Sequence, residues 1–392
     1  MGSILINNIL LDGQPRNVLI EGKRFKSLSA AAGAVAQTVI DGTGKALLPG
    51  LYNMHTHAAM TLMRGYGDDT PLERWLEDYI WPYEARLSSE DFRRGYELAN
   101  REMAETGTVF FNDMYFSLED AIDVVVKSGL RAALGLVVLD GHTHSIGPEV
   151  LDFLKTWKDP TGGRIRFTLA PHSIYTVSGA KLVRIARAAR ENGLPIHMHL
   201  AETRTEVSNC IRDHGMRPVA YLDSLGLLGP DIILAHCVHV NEEEADILAE
   251  RQVTIVHCPC SNMKLGSGIF PYEHLIKAGC RITLGTDGAS SSNNLDLREA
   301  MKFAALLSKV SASPDLLSAS AVLEWATVRA AEAFGIDGGV IAEGKLADGI
   351  LVDLNNVKMQ PCYNLVSNFV YSADSSCIAG VLCDGNLIYQ RK

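Results

Sequence analysis

His55 and His57 flank Thr56 in the stretch Leu-Pro-Gly-Leu-Tyr-Asn-Met-His-Thr-His, residues 48–57. In an extended strand, side chains two apart point to the same face. Two neutral imidazoles on one face are half of a divalent metal site. Such a pair also occurs as ordinary core or surface histidine, so the rest of the chain has to decide. Further donors close other apolar runs: Ala170-Pro171-His172, His197-Met198-His199-Leu200-Ala201-Glu202, Ala235-His236-Cys237 and Gly285-Thr286-Asp287. Three imidazoles plus a carboxylate suit zinc or ferrous iron with a position left for water. Such an ion lowers the pKa of bound water toward about 7. Asp287 is placed to ligate the ion and to accept the water's proton. Glu202, three residues after His199, is placed to give a proton to a leaving or ring nitrogen. No lysine lies in Thr168–His172 to form a carbamate bridge, so one metal per chain is expected.

These donors need elements that deliver them to one place. Strand-like apolar runs recur near 46–54, 108–112, 131–139, 164–171, 195–200, 232–236, 253–258 and 281–286. Amphipathic stretches such as 91–106, 180–192 and 241–251 separate them. Gly193-Leu194-Pro195 marks a helix end followed by a strand start. Near-continuous apolar strands alternating with helices predict a parallel sheet covered on both faces. Eight such units suggest a (β/α)8 TIM barrel, whose sites sit at the C-terminal ends of the strands. An open doubly wound sheet is the alternative, weakened because no Gly-x-Gly-x-x-Gly follows any of these strands. The two ends read as antiparallel hairpins, with turns at Asp12-Gly13, Glu21-Gly22-Lys23 and Asp384-Gly385-Asn386. A small β-sandwich domain formed by both termini (1–48 and 340–392), flanking a catalytic barrel (49–339), is the economical arrangement.

The chain has 392 residues, 47% apolar and 21% charged, the balance of a soluble globular protein. A net charge of −10 without a basic run argues against nucleic-acid or anionic-membrane partners. No basic n-region with a long apolar stretch opens the sequence, and no uncharged apolar run is long enough to span a bilayer. Eight sparse cysteines without framework spacing point to a reduced, cytoplasmic protein. Cys258-Pro259-Cys260 reads as small hydrophobes at a strand end. It also fails the Pro-Cys-x-x-Cys signature of the cytidine-deaminase zinc site, since Pro259-Cys260 is followed by Ser261, Asn262 and Met263.

The motifs taken together resemble the amidohydrolase superfamily, and within it the 5-methylthioadenosine/S-adenosylhomocysteine deaminases. The matching stretches are 48–66, Trp75-Leu-Glu, Ile80-Trp-Pro-Tyr-Glu84, Ala170-Pro-His-Ser-Ile-Tyr-Thr176, His199-Leu-Ala-Glu-Thr203, Ala235-His-Cys-Val-His239, 257–265 and 284–294. They run in family order over nearly the whole chain. The resemblance implies His55, His57, His199 and Asp287 as ligands of one divalent metal, zinc or iron(II). Spacing alone leaves His197 and His199 equivalent; the family's His-x-x-Glu pattern selects His199. By the same resemblance Glu202 protonates the purine nitrogen beside the attacked carbon, and His236 contacts the attacking water. Asp287 shuttles the proton, Glu84 grips the ribose hydroxyls and His172 bonds the purine. Trp75 and Trp81 fall in a segment that would wall the pocket or form a lid. The implied reaction is hydrolytic deamination of a small-molecule adenine nucleoside to the inosine analogue and ammonia, by a homodimer or tetramer.

Competing readings are deamination of another heterocycle (guanine, 8-oxoguanine, cytosine or a pterin), hydrolysis of a cyclic amide at a two-metal site, and a non-catalytic metal-binding barrel. The missing lysine disfavours the two-metal reading, and the presence of Glu202 and His236, neither needed merely to hold a metal, disfavours the last. His142-Thr143-His144 is a second His-x-His, but it follows the turn signal Asp140-Gly141 and belongs to a loop, with a pocket role open and a metal role not expected. His239 and His257 read as supporting or structural. Relatives that accept S-adenosylhomocysteine use arginines to hold its amino-acid carboxylate, yet no arginine lies between Arg131 and Arg164. An unpaired buried carboxylate is costly, so small or neutral 5′ groups are expected: 5′-methylthioadenosine, 5′-deoxyadenosine or adenosine.

Overall fold

The computed structural model describes residues 2–31, 33–142, 144 and 150–392. Eight parallel strands follow one another in chain order around a near-closed barrel: Leu51–Thr56, Thr108–Asp113, Arg131–Val138, Ile165–Pro171, Ile196–Leu200, Ile232–His236, Thr254–His257 and Arg281–Leu284. The last strand returns to the first through Asp287 N–H donating to His55 O at 3.0 Å. The Asn53 side chain reinforces this seam: its amide donates to Thr286 Oγ1 at 2.7 Å, and its Oδ1 accepts from Thr286 N–H at 3.1 Å. The strands are buried almost throughout, as their apolar composition requires. Some of the helices between them begin at side-chain caps. Ser88 and Asp91 form a capping box for Ser89–Glu105, and Asn241 and Glu244 form another for Glu242–Glu250.

The apolar run 46–54, read as one strand, is two. Lys45–Pro49 belongs to the terminal sheet and Leu51–Thr56 to the barrel, with Gly50 between them. A Cβ on Gly50 would lie 2.5 Å from Val109 Cγ1, so no larger residue fits where the chain changes sheets. The terminal sheet is a single mixed sheet of eight strands from both ends of the chain. Its tight hairpins turn at Asp12-Gly13 and Asp384-Gly385, both pairs with positive φ, the type I′ geometry that Asp-Gly favours. It is not wholly antiparallel, because Ser3–Leu11 pairs in parallel with Thr38–Asp41 and with Lys45–Pro49. A buried ionic cluster joins the sheet to the barrel floor. Arg131 lies 3.0 Å from Asp384 and 3.5 Å from Asp348, and the Tyr52 hydroxyl donates to Asp348 at 2.8 Å. No helix of the described residues is long and apolar enough to cross a membrane.

Candidate active site

The C-terminal ends of strands one, five, six and eight bring His55, His57, His199, His236 and Asp287 to one point. Donor atoms of His55, His57 and His199 lie within 4.8 Å of one another, as do those of His55, His236 and Asp287. Asp287 Oδ1 is 3.4 Å from His55 Nε2 and 3.3 Å from His57 Nε2, and His57 Nε2 is 3.3 Å from His199 Nε2.

The hydrogen bonds behind these rings decide what the cluster is for. His57 Nδ1 lies 2.6 Å from Met114 O, and His199 Nδ1 lies 2.9 Å from His172 O. A carbonyl only accepts, so both Nδ1 atoms carry the hydrogen and both Nε2 atoms present lone pairs. Burial holds His55 down to about 4, which keeps its ring neutral, and its Nε2 completes no hydrogen bond among the described residues. The Nε2 lone pairs of His57 and His199 and a carboxylate oxygen of Asp287 thus converge beside the His55 Nε2. That arrangement is repulsive unless a cation sits among them, and the donor set suits a divalent ion.

Second contacts aim each donor. Asp287 Oδ2 accepts from the Ser261 hydroxyl at 2.6 Å, and its Oδ1 accepts from Gly288 N–H at 2.7 Å. His236 Nδ1 is 2.8 Å from Asn262 Oδ1, which turns Nε2 toward Glu202 Oε2 at 3.7 Å. Burial opposes a charge on His236, but the Glu202 and Asp287 carboxyls and Asn262 outweigh it and raise its pKa. Burial also raises the Glu202 pKa, against the pull of His236. Glu206 accepts from Ala201 N–H at 2.9 Å and from Glu202 N–H at 2.8 Å. These backbone corners are strained: Ala201, His236 and Asp287 have φ of 51°, 72° and 63°. Left-handed non-glycine residues cost about 1–3 kcal/mol each and concentrate at functional sites.

The cluster floors a cleft holding about 610 Å³ of empty space, counting its open mouth. Glu84, His172, Glu202 and Trp75 line it, as the sequence reading expects of substrate-contacting residues, and Trp81 joins the wall. Trp75 and Glu84 come from consecutive short helical turns, Leu72–Trp75 and Trp81–Glu84, bridged by a π-helical turn. His197 falls outside the cluster. Its Nε2 meets His55 Nδ1 at 2.9 Å, so it stands behind a donor rather than among them. His239 bonds Ser267 O, and His257 bonds the Tyr272 hydroxyl. The Cys258 thiol is buried at the strand end, and all eight cysteines are free. Sequence reasoning did not single out Ser261, Ser267, Asn262 or Glu206. The first three lie within or beside the quoted stretch 257–265; Glu206 carries no signal beyond its spacing from Glu202.

The Amidohydrolase family model matches residues 46–388. The chain is 46% identical to a 5′-deoxyadenosine deaminase of Methanothermobacter thermautotrophicus over 95% of its own length and 88% of that protein. The chain belongs to the amidohydrolase family. It is also 43% identical to a 5-methylthioadenosine/S-adenosylhomocysteine deaminase of Syntrophomonas wolfei, covering 90% of this chain and 84% of that one. An adenosine deaminase from Xanthomonas campestris, solved with bound zinc, superposes with a TM-score of 0.92 at 33% identity, over 98% of this chain and 92% of that one. As an amidohydrolase, the chain is a hydrolase with a single divalent-metal site.

Proposed function

We propose that this amidohydrolase deaminates an adenine nucleoside hydrolytically, giving the inosine analogue and ammonia. The observation that carries the reading is a buried carboxylic acid, Glu202, beside a cluster of metal-ready lone pairs, in a pocket that also holds the Glu84 carboxylate. The relatives named above act on adenosine-type compounds, which supports the same substrate class. His55, His57, His199 and Asp287 would hold the ion. When bound, the ion supplies Lewis acidity that lowers the pKa of water toward about 7.

The protein's own groups do the rest. His236 Nε2, aimed by Asn262, orients the attacking water, and Asp287 accepts its proton. Glu202, whose pKa burial raises, donates to N1 as oxygen adds at C6. The exocyclic nitrogen then takes the proton from Asp287 and leaves as ammonia, and the hydrogen left on the C6 hydroxyl returns to Glu202 as the C6 carbonyl forms. Two acids with separated tasks follow from two environments, the logic by which enzymes divide acid and base roles. His172 meets the purine and Glu84 accepts from the ribose hydroxyls.

The wall near Glu84 favours a neutral 5′ group. Leu72, Ile80, Trp81, Val137 and Leu139 line the cleft, and among the described residues no lysine or arginine does. An amino-acid carboxylate would have no cation to meet. We therefore assign 5′-methylthioadenosine, 5′-deoxyadenosine or adenosine as preferred substrates. Measuring kcat/KM for 5′-methylthioadenosine against S-adenosylhomocysteine tests this, and a clear preference for the latter sinks it. Eight free cysteines and the net charge support a cytoplasmic enzyme, and family likeness supports a homo-oligomer.

A further inference from the structure

Glu84 is 3% exposed, and the only ion-pair partner it has among the described residues is a histidine. Among the described residues no arginine or lysine pairs with it. The stretch His142-Thr143-His144, which the metal site leaves unused, supplies what does meet it. His142 Nδ1 accepts from the His144 backbone N–H at 3.3 Å. An Nδ1 that accepts leaves the ring hydrogen on Nε2. That Nε2 is buried, completes no hydrogen bond among the described residues, and faces Glu84 Oε2 at 3.4 Å. Phe116 fixes the ring plane, stacked on His142 with centroids 4.6 Å apart and planes 9° off parallel.

His144 takes the other end of the same residue. Its Nε2 lies 3.2 Å from the Glu84 carbonyl oxygen, and its ring stands edge-on to Phe92 at 5.2 Å. The Tyr115 hydroxyl, also buried without a completed hydrogen bond, interacts with the Glu84 carboxyl as well. One pocket carboxylate is therefore approached by donors on its protein side and held by its own backbone.

We propose that His142 and His144 are positioning residues that clamp Glu84, His142 by its carboxylate and His144 by its backbone carbonyl, and so set the site's selectivity for a vicinal ribose diol. The proposal rests on the reading above that Glu84 receives the ribose. A carboxylate accepts from both hydroxyls of a cis-diol only when its two oxygens are presented in a fixed plane. Donors on the protein side fix that plane and leave the pocket-side lone pairs for the sugar. A short turn of Glu84 toward the Nε2 hydrogen would complete the 3.4 Å contact as the diol binds.

The test uses the metal-loaded enzyme with adenosine and 2′-deoxyadenosine. His142→Ala is expected to raise KM for adenosine about ten- to a hundredfold, the worth of one hydrogen bond to a charged group, with a much smaller fall in kcat. The preference for adenosine over 2′-deoxyadenosine should shrink toward that of Glu84→Ala. His142→Gln, whose amide still donates, should restore part of it, and His144→Ala should shrink it too. In the Glu84→Ala background, His142→Ala should add little, because the two changes remove one interaction. A folded His142→Ala protein with full metal content and undiminished selectivity would overturn the clamp alone. Wild-type enzyme that turns over no adenine nucleoside, 5′-methylthioadenosine and 5′-deoxyadenosine included, would overturn the functional reading, and the clamp with it.

Discussion

Replacing Glu206 with alanine should loosen the corner that aims the proton donor. Glu206 does not itself line the pocket; its two oxygens accept from the backbone N–H groups of Ala201 and Glu202, at 2.9 Å and 2.8 Å. Ala201 is fully buried and Glu202 is 5% exposed, so water cannot simply take the place of the lost carboxylate. An orphaned buried donor costs about 1–3 kcal/mol, which makes the pair worth about 2–6 kcal/mol. Unfolding entropy of about 2.1 cal/mol/K per residue, over 392 residues, converts this to a melting-temperature loss of about 2–7 °C. The catalytic effect should be larger than the thermal one. Ala201 holds a left-handed backbone between His199 and Glu202, and a misplacement of about 1 Å at a reacting group costs about a hundredfold in rate. Thermal unfolding by circular dichroism and kcat from the adenine-to-hypoxanthine absorbance change read the two effects separately. Glu206→Gln keeps one acceptor oxygen and should recover roughly half of the stability. A Glu206→Ala protein that melts within about 1 °C of the parent and keeps kcat within about threefold would refute the reasoning.

Two other outcomes are expected. Glu202→Gln should lower kcat/KM by about a hundred- to ten-thousandfold, the usual worth of a general acid. Because the acid form is the working one and burial raises its pKa, parent activity should fall as pH rises through a midpoint above the ordinary carboxylate range. A pH–rate profile of the Gln variant should lack that limb. Arg131→Met should cost about 3–5 kcal/mol, since it strands the buried Asp348 carboxylate in the interface between barrel and sheet and leaves Asp384 with Lys23 alone. Urea unfolding measures it, and a loss under about 1 kcal/mol would show that the cluster is not coupled to stability.

Most of the barrel was legible in the sequence because its strands are buried on both faces and amphipathic helices alternate with them. The limits of that legibility are physical. The run 46–54 is apolar on both sides of Pro49-Gly50, so its hydropathy does not mark the change of sheet; the space at Gly50 does. His197 and His199 share a strand face, and it is the partner of each ring that separates them: His55 for one, the cluster and the His172 carbonyl for the other. Glu206 acts through backbone amides, which any sequence possesses, so its role appears only when the fold brings it under Ala201. Arg131 looked like the near edge of an arginine-poor stretch. Its partners lie in the C-terminal part of the chain, beyond the reach of local pattern.

The account turns on a metal-dependent attack on an adenine nucleoside. The direct measurement is turnover of adenosine and 5′-methylthioadenosine by protein stripped with a chelator and then titrated with zinc or iron(II). Activity should be absent in the stripped protein and rise linearly to a plateau at one ion per chain, with ammonia and the inosine analogue formed in equal amounts. Full turnover without metal, a plateau at two ions, or a metal-loaded enzyme inert toward both nucleosides yet active on a free base would contradict it.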